Sequence, residues 1–79
     1  MTREEVYERL NEVFRDVFDD ASIEVSDATT ADDIEGWDSL EHINLIAAVE
    51  DEFEIKIPMS KVNKLQNVGE MVDLILGNA

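Results

Sequence analysis

The sequence contains no cysteine. A disulfide framework, a thiolate nucleophile and a Cys-based zinc site are therefore excluded, and the absence fits a reducing compartment. Long apolar runs are missing as well: the longest is Leu45–Val49, far too short to cross a bilayer, so no membrane insertion is expected. Basic residues are scarce and unevenly placed. Six Lys and Arg stand against twenty Asp and Glu, for a formal net charge of −14. Arg3, Arg9 and Arg15 come early, Lys56, Lys61 and Lys64 come late, and none lies between Asp16 and Glu54. Such a chain is repelled by nucleic acid and by anionic membrane surfaces. The same acidity keeps a small domain soluble, and it offers a surface to basic patches on partner proteins. Glu4, Glu5 and Glu8 near the start, with no apolar run behind them, are wrong for a secretory signal. The expectation is a soluble, cytoplasmic protein, and charge and size favour a monomer.

Seventy-nine residues, 44% of them hydrophobic, are enough for one compact domain over 1–79 but leave little chain to wall a deep cleft. Three segments carry the same helix-start punctuation: Thr2 before Glu5, Asp38 before Glu41, and Asn67 before Glu70. In each, the first side chain can accept an orphan backbone N–H while the glutamate reaches back, the capping-box arrangement. The first helix is predicted from Thr2 to about Phe18, with Val6, Leu10, Val13 and Val17 as its stripe and Phe14 and Phe18 widening it. The second runs from Asp38 to about Phe53. At about 100° per residue, Leu40, Ile43, Ile46, Ala47, Val49 and Phe53 form one broad inward arc, with Glu41, Asn44, Ala48 and Asp51 on the other side. The last helix, Asn67 to about Leu76, buries Val68, Met71, Val72 and Ile75, and Gly77 is its natural stop. A connection from Asp19 to Trp37, anchored by Ile23, Val25, Ile34 and Trp37, separates the first two helices. Pro58 ends Ile55-Lys56-Ile57-Pro58 and breaks the second helix, ahead of a brief polar turn or helix near Ser60 to Lys64. There is no repeat, low-complexity tract or internal boundary. The predicted fold class is all-α: a small bundle of three long helices and one short one, with a long loop between the first two.

The densest feature is Gly36-Trp37-Asp38-Ser39-Leu40. With Asp38 as cap, Ser39 is the first helical residue and holds its hydroxyl at the surface. A helix N-terminus offers free N–H groups and a positive dipole end, which suits a phosphate bonded there. Leu40 is expected to point inward and fix the helix on the core, and Gly36 permits the tight approach to the cap.

Asp38-Ser39-Leu40, at the start of a helix after a long loop, resembles the attachment motif of acyl carrier proteins. The resemblance extends over nearly the whole chain, through Gly-Trp-Asp-Ser-Leu-Glu, Val49-Glu50-Asp51-Glu52-Phe53, Ile57-Pro58 and the short final helix. It implies that a phosphopantetheinyl transferase moves 4'-phosphopantetheine from coenzyme A onto Ser39, with Asp38 and Leu40 completing the motif. The arm's thiol then holds an acyl group as a thioester, so the reactive sulfur comes with the cofactor and the chain itself catalyses nothing. It further implies delivery to acyl-loading and acyl-transferring enzymes of fatty-acid, lipid-modification or polyketide-type biosynthesis. The recognition face would run along the second helix and the turn after it, through Asp38, Glu41, Asn44, Glu50, Asp51, Lys56 and Lys61. The acyl pocket would be walled by Ile43, Ala47, Val49, Phe53, Ile57, Val62, Leu65, Met71 and Ile75. Asn44 stands where housekeeping fatty-acid carriers usually have Glu, and Lys56, Met59 and Lys61 replace residues usually acidic in them. The stretch from Ile34 to Ile46 resembles freestanding carriers of specialised pathways instead. Ala47 replaces a bulkier apolar residue of the housekeeping pattern, whereas Val62 and Met71 replace smaller ones.

Other readings fare less well. Ser39 and His42 beside Asp38 supply the residue types of a hydrolytic triad. Neighbours on one helix cannot line up as nucleophile, base and orienter, and the Gly-x-Ser-x-Gly elbow is absent. An EF-hand centred on Gly36 would place Ala31 and His42 where carboxylates are required, so no metal site is expected. An unmodified interaction domain of the same fold has no need of Ser39. A peptidyl or aminoacyl carrier shares the fold and the arm but tends to be less acidic than −14.

Overall fold

Thr2 starts the first helix with both halves of a capping box. Its hydroxyl accepts the Glu5 N–H (3.2 Å) and Glu5 accepts the Thr2 N–H (3.0 Å). The computed structural model describes residues 1–78, and α1 spans Arg3–Val17. It buries Val6, Leu10, Val13 and Phe14, with Val17 and Phe18 half-buried at the edge of the expected stripe. Asp19 then turns left-handed (φ 50°), and the Asp20 N–H closes on the Arg15 carbonyl at 3.1 Å.

α2 spans Ser39–Phe53 and ends at a left-handed Glu54 (φ 54°), with the Ile55 N–H on the Glu50 carbonyl at 3.1 Å. Both helix ends are thus closed by a backward hydrogen bond that satisfies otherwise orphaned carbonyls. Pro58 does not break α2 as expected, because the left-handed residue stops it first. Pro58, at φ −60°, caps the short α3, Met59–Val62. α4, Val68–Asn78, starts with the Glu70 N–H donated to Asn67 Oδ1 at 2.9 Å. Gly77 lies inside it and does not stop it: among the described residues the one glycine with positive φ is Gly36.

α1 packs on both α2 and α4. Their shared core unites Leu10 and Phe14 with Leu45, Val49, Val68, Met71, Val72 and Ile75. The connection over 18–38 is tied down along its length. Val25 is buried, and its N–H reaches Asn11 Oδ1 (2.7 Å), while Arg15 Nε holds the Ile23 carbonyl (2.8 Å). The Thr29 and Asp27 carbonyls accept the first N–H groups of α4, from Val68 (2.8 Å) and Gly69 (3.1 Å). A 3₁₀ turn at Ala31–Asp33, which periodicity did not reveal, shortens the path to the second helix; Asp33 accepts the Thr30 N–H there at 2.9 Å.

Four helices and no strand among the described residues make an all-α fold of 28 × 26 × 22 Å. No helix in them is long and apolar enough to cross a membrane.

Candidate functional site

Gly36, at φ 87°, turns the chain into the start of α2. Asp38 caps that helix in extended conformation, its carboxylate accepting the Glu41 N–H and its carbonyl the His42 N–H, both at 2.8 Å. Glu41 does not complete the box; its carboxylate takes the Asn44 amide at 3.3 Å. Ser39 is the first helical residue and is exposed. The Ser39 and Leu40 N–H groups take part in none of the hydrogen bonds among the described residues, so two donors of the helix terminus stay open beside the serine hydroxyl.

Leu40 does not anchor the helix: it is 66% exposed. Five steps of about 100° put it some 140° around the axis from Leu45, which is fully buried. The buried arc of α2 is centred on Leu45, Ile46 and Val49, and the inward arc expected from the sequence omitted Leu45 and wrongly took in Leu40, Ile43 and Ala47. The anchor is instead the residue ahead of the cap. Trp37 packs edge-on against Phe14 (ring centroids 5.3 Å apart) and beside Phe18 (6.0 Å). Ser39 therefore stands two residues from a side chain held in the core.

Beside Ser39 lies a groove of about 590 Å³ between α2 and α3, closed by Met71 of α4 and by Ala31 and Trp37 of the loop. Of the residues expected to wall a pocket, Ile43, Ala47, Val62, Leu65 and Met71 line it. Val49 and Ile75 do not: both are fully buried in the main core. Phe53 lies under the Arg9 guanidinium, 4.7 Å from the ring centroid, and Ile57 is buried in the core; neither reaches the groove. Lining residues that the sequence did not assign to the pocket include Trp37, read as a loop anchor, Ile46, read as part of the inward arc, and His42 and Met59. Ser39, Ile43, Ile46 and Glu50 repeat every three or four residues, with His42 beside them, so the groove face was legible as a second helical stripe that starts at the serine itself.

The residues assigned to the recognition face are not alike. Asp38, Asn44, Asp51, Lys56 and Lys61 are exposed. Glu50 turns inward, lining the groove and accepting the Ile57 N–H at 2.7 Å. None of the ion pairs among the described residues uses Lys56 or Lys61.

A phosphodiester on the serine fits this geometry: an exposed hydroxyl, two open N–H donors at the positive end of α2, and an adjoining apolar groove. These are the features that a carrier domain requires, one that holds its reactive group on an attached arm.

The comparisons with known proteins agree. The family model described as phosphopantetheine attachment site matches residues 8–75. The chain is 32% identical to the mitochondrial acyl carrier protein of Saccharomyces cerevisiae over 99% of its own length and 66% of that protein's. It is 31% identical to the acyl carrier protein of Clostridium acetobutylicum, over 89% of this chain and 91% of that one. A solution structure of holo acyl carrier protein from Geobacter metallireducens superposes with a TM-score of 0.86 at 42% identity, covering 92% of this chain and 84% of that one. The chain belongs to the acyl carrier protein family, whose members are carriers and not catalysts and bear 4'-phosphopantetheine.

Proposed function

We propose that Ser39 is the attachment point and that the groove beside it receives the acyl cargo. The observation that carries this is the position of the serine. It is the exposed first residue of α2, with open neighbouring N–H groups, at the rim of an apolar groove lined by Ile43, Ala47, Val62, Leu65 and Met71. When attached, the arm supplies a thiol that takes up an acyl group as a thioester. The chain's own residues do the rest. Asp38 and Trp37 hold the serine in place, and α2, α3 and Met71 shelter apolar cargo from water. The test is intact mass after incubation with coenzyme A and a promiscuous phosphopantetheinyl transferase. One phosphopantetheine should be gained, and Ser39→Ala should abolish the gain. No gain on correctly folded wild type sinks the assignment.

We further propose that the partners are enzymes of a specialised lipid-modification or polyketide-type pathway. Asp38, Glu41 and Asp51 supply acidic contacts around the arm, while Asn44, Lys56 and Lys61 change the pattern. The two exposed lysines have no ion-pair partner among the described residues and so favour enzymes that present carboxylates as well as basic groups. Reversing Lys56 and Lys61 to Glu in the holo protein should improve loading by a fatty-acid-synthesis malonyl transferase and impair loading by the cognate enzyme. Equal loading of both forms by both enzymes rejects the pathway assignment and leaves Ser39 untouched.

A further inference from the structure

His42 is the groove residue whose side chain bonds outward to two different walls. The Trp37 indole N–H donates to its Nδ1 (3.1 Å), and its Nε2 lies 3.2 Å from the Val62 carbonyl. An indole nitrogen only donates and a carbonyl only accepts, so Nδ1 is the acceptor of this pair and Nε2 the donor. The two ring planes are 21° from parallel, with centroids 5.9 Å apart. One side chain on α2 thereby holds the loop wall on one side and the α3 wall on the other. The α3 wall has little else of this kind. Among the described residues, two hydrogen bonds join 56–65 to the rest of the chain: Ile57 N–H to Glu50, and His42 to Val62.

We infer that His42 is a positioning residue for the carrier groove: bonded to Trp37 of the loop and to Val62 of α3, it sets the spacing of the two walls. A side chain without an acceptor at that place would leave the indole N–H unpartnered and free the loop wall. Asp38 and Glu50 line the same groove, but each carboxylate already accepts a backbone N–H. The lining residues from the loop (Ala31, Trp37) and from α4 (Met71) carry no charge, and α3 brings Lys61, exposed beside Val62. What the groove holds rests on the proposed carrier role; the tie itself is tested without any cargo.

The sequence has one Trp and one His, so NMR reads both partners without ambiguity. On the unmodified chain, the Trp37 indole N–H signal is compared in wild type and in His42→Leu, which offers the indole no acceptor. It should lie upfield in His42→Leu, with helix content by circular dichroism unchanged. His42→Gln, whose amide oxygen accepts the indole N–H while its NH2 donates to Val62, should bring the signal back toward wild type. An indole signal that is the same in wild type and His42→Leu, or that His42→Gln leaves at the His42→Leu position, overturns the tie. In the holo form loaded with an octanoyl group, the cargo-induced shifts of the Val62 and Met71 methyl signals should be smaller in His42→Leu than in wild type. Shifts that ignore the substitution overturn the positioning role. A chain that accepts no arm at all defeats the carrier assignment instead, and the indole comparison is unaffected by that failure.

Discussion

Gly69 occupies a place where even a methyl group has no room. A Cβ there would stand 3.0 Å from the Asp27 carbonyl oxygen and 3.1 Å from the Asp27 Cβ. That carbonyl cannot back away without losing the Gly69 N–H it accepts at 3.1 Å. Gly69→Ala gains about 1 kcal/mol of helix propensity, but forced overpacking against backbone costs about 1–3 kcal/mol. The expected outcome in urea unfolding is net destabilisation. Asp27 is also where α1 and α4 meet the loop: Arg3 spans Asp27 (2.7 Å) and Asp73 (2.9 Å), and the Tyr7 hydroxyl donates to Asp27. The Tyr7 bond first, and then Arg3, hold the Asp27 carboxyl below its usual range, while burial and the same bond push Tyr7 up to about 12. A lowered carboxyl stabilises the fold above its unfolded value, about 3.9, and that contribution is lost as pH falls through the folded one. The raised phenol acts at the other end, stabilising below its unfolded value near about 10 and ceasing to do so as pH rises through about 12. Asp27→Asn should therefore lose less stability than wild type between about pH 5 and pH 2, measured by denaturant unfolding at each pH. Leu40 and Leu45 make a contrasting pair. With Leu40 66% exposed and Leu45 fully buried, Leu40→Ala should change stability by less than about 0.5 kcal/mol. Leu45→Ala should cost about 2–5 kcal/mol.

At the scale of elements, the helix starts were the most legible part of the chain, because capping is local chemistry within a few residues. Thr2, Asp38 and Asn67 each cap a helix. The back-reaching glutamates were less so. Glu5 closes its box, Glu41 turns to Asn44, and Glu70 reaches one residue further back to the Gln66 N–H at 2.8 Å. Helix ends were harder to read, since α1 and α2 stop at left-handed Asp19 and Glu54, neither of them glycine. A left-handed non-glycine residue carries about 1–2 kcal/mol of steric strain. Glu54 is exposed, and its side chain enters none of the hydrogen bonds of the described chain. Glu54→Gly should accordingly raise the unfolding free energy by about 0.5–1 kcal/mol and remove a negative charge from the dipole's negative end. The face of α2 was misjudged for a different reason. Leu40, Ile43 and Ala47 are apolar, and hydrophobicity alone cannot separate residues that line an open groove from residues sealed in the core.

Over the whole molecule, the net charge of −14 is spread on a body no more than 28 Å long. At 0.01 M salt the screening length is about 30 Å, so every carboxylate repels every other; at 0.15 M it is about 8 Å, and only neighbours do. Raising salt across that range should raise the melting temperature, most visibly near neutral pH where the carboxylates are ionised. The sequence by itself determined the helical class, the capped serine at Ser39 and the acidity, because these depend on periodicity, local hydrogen bonding and a sum of charges. Only the tertiary structure decided that Trp37 and not Leu40 anchors the serine, that Glu50 turns inward, and that His42 bridges two walls of a groove. Those outcomes depend on where a loop and α3 come to lie against α2, which no pattern within one helix can specify.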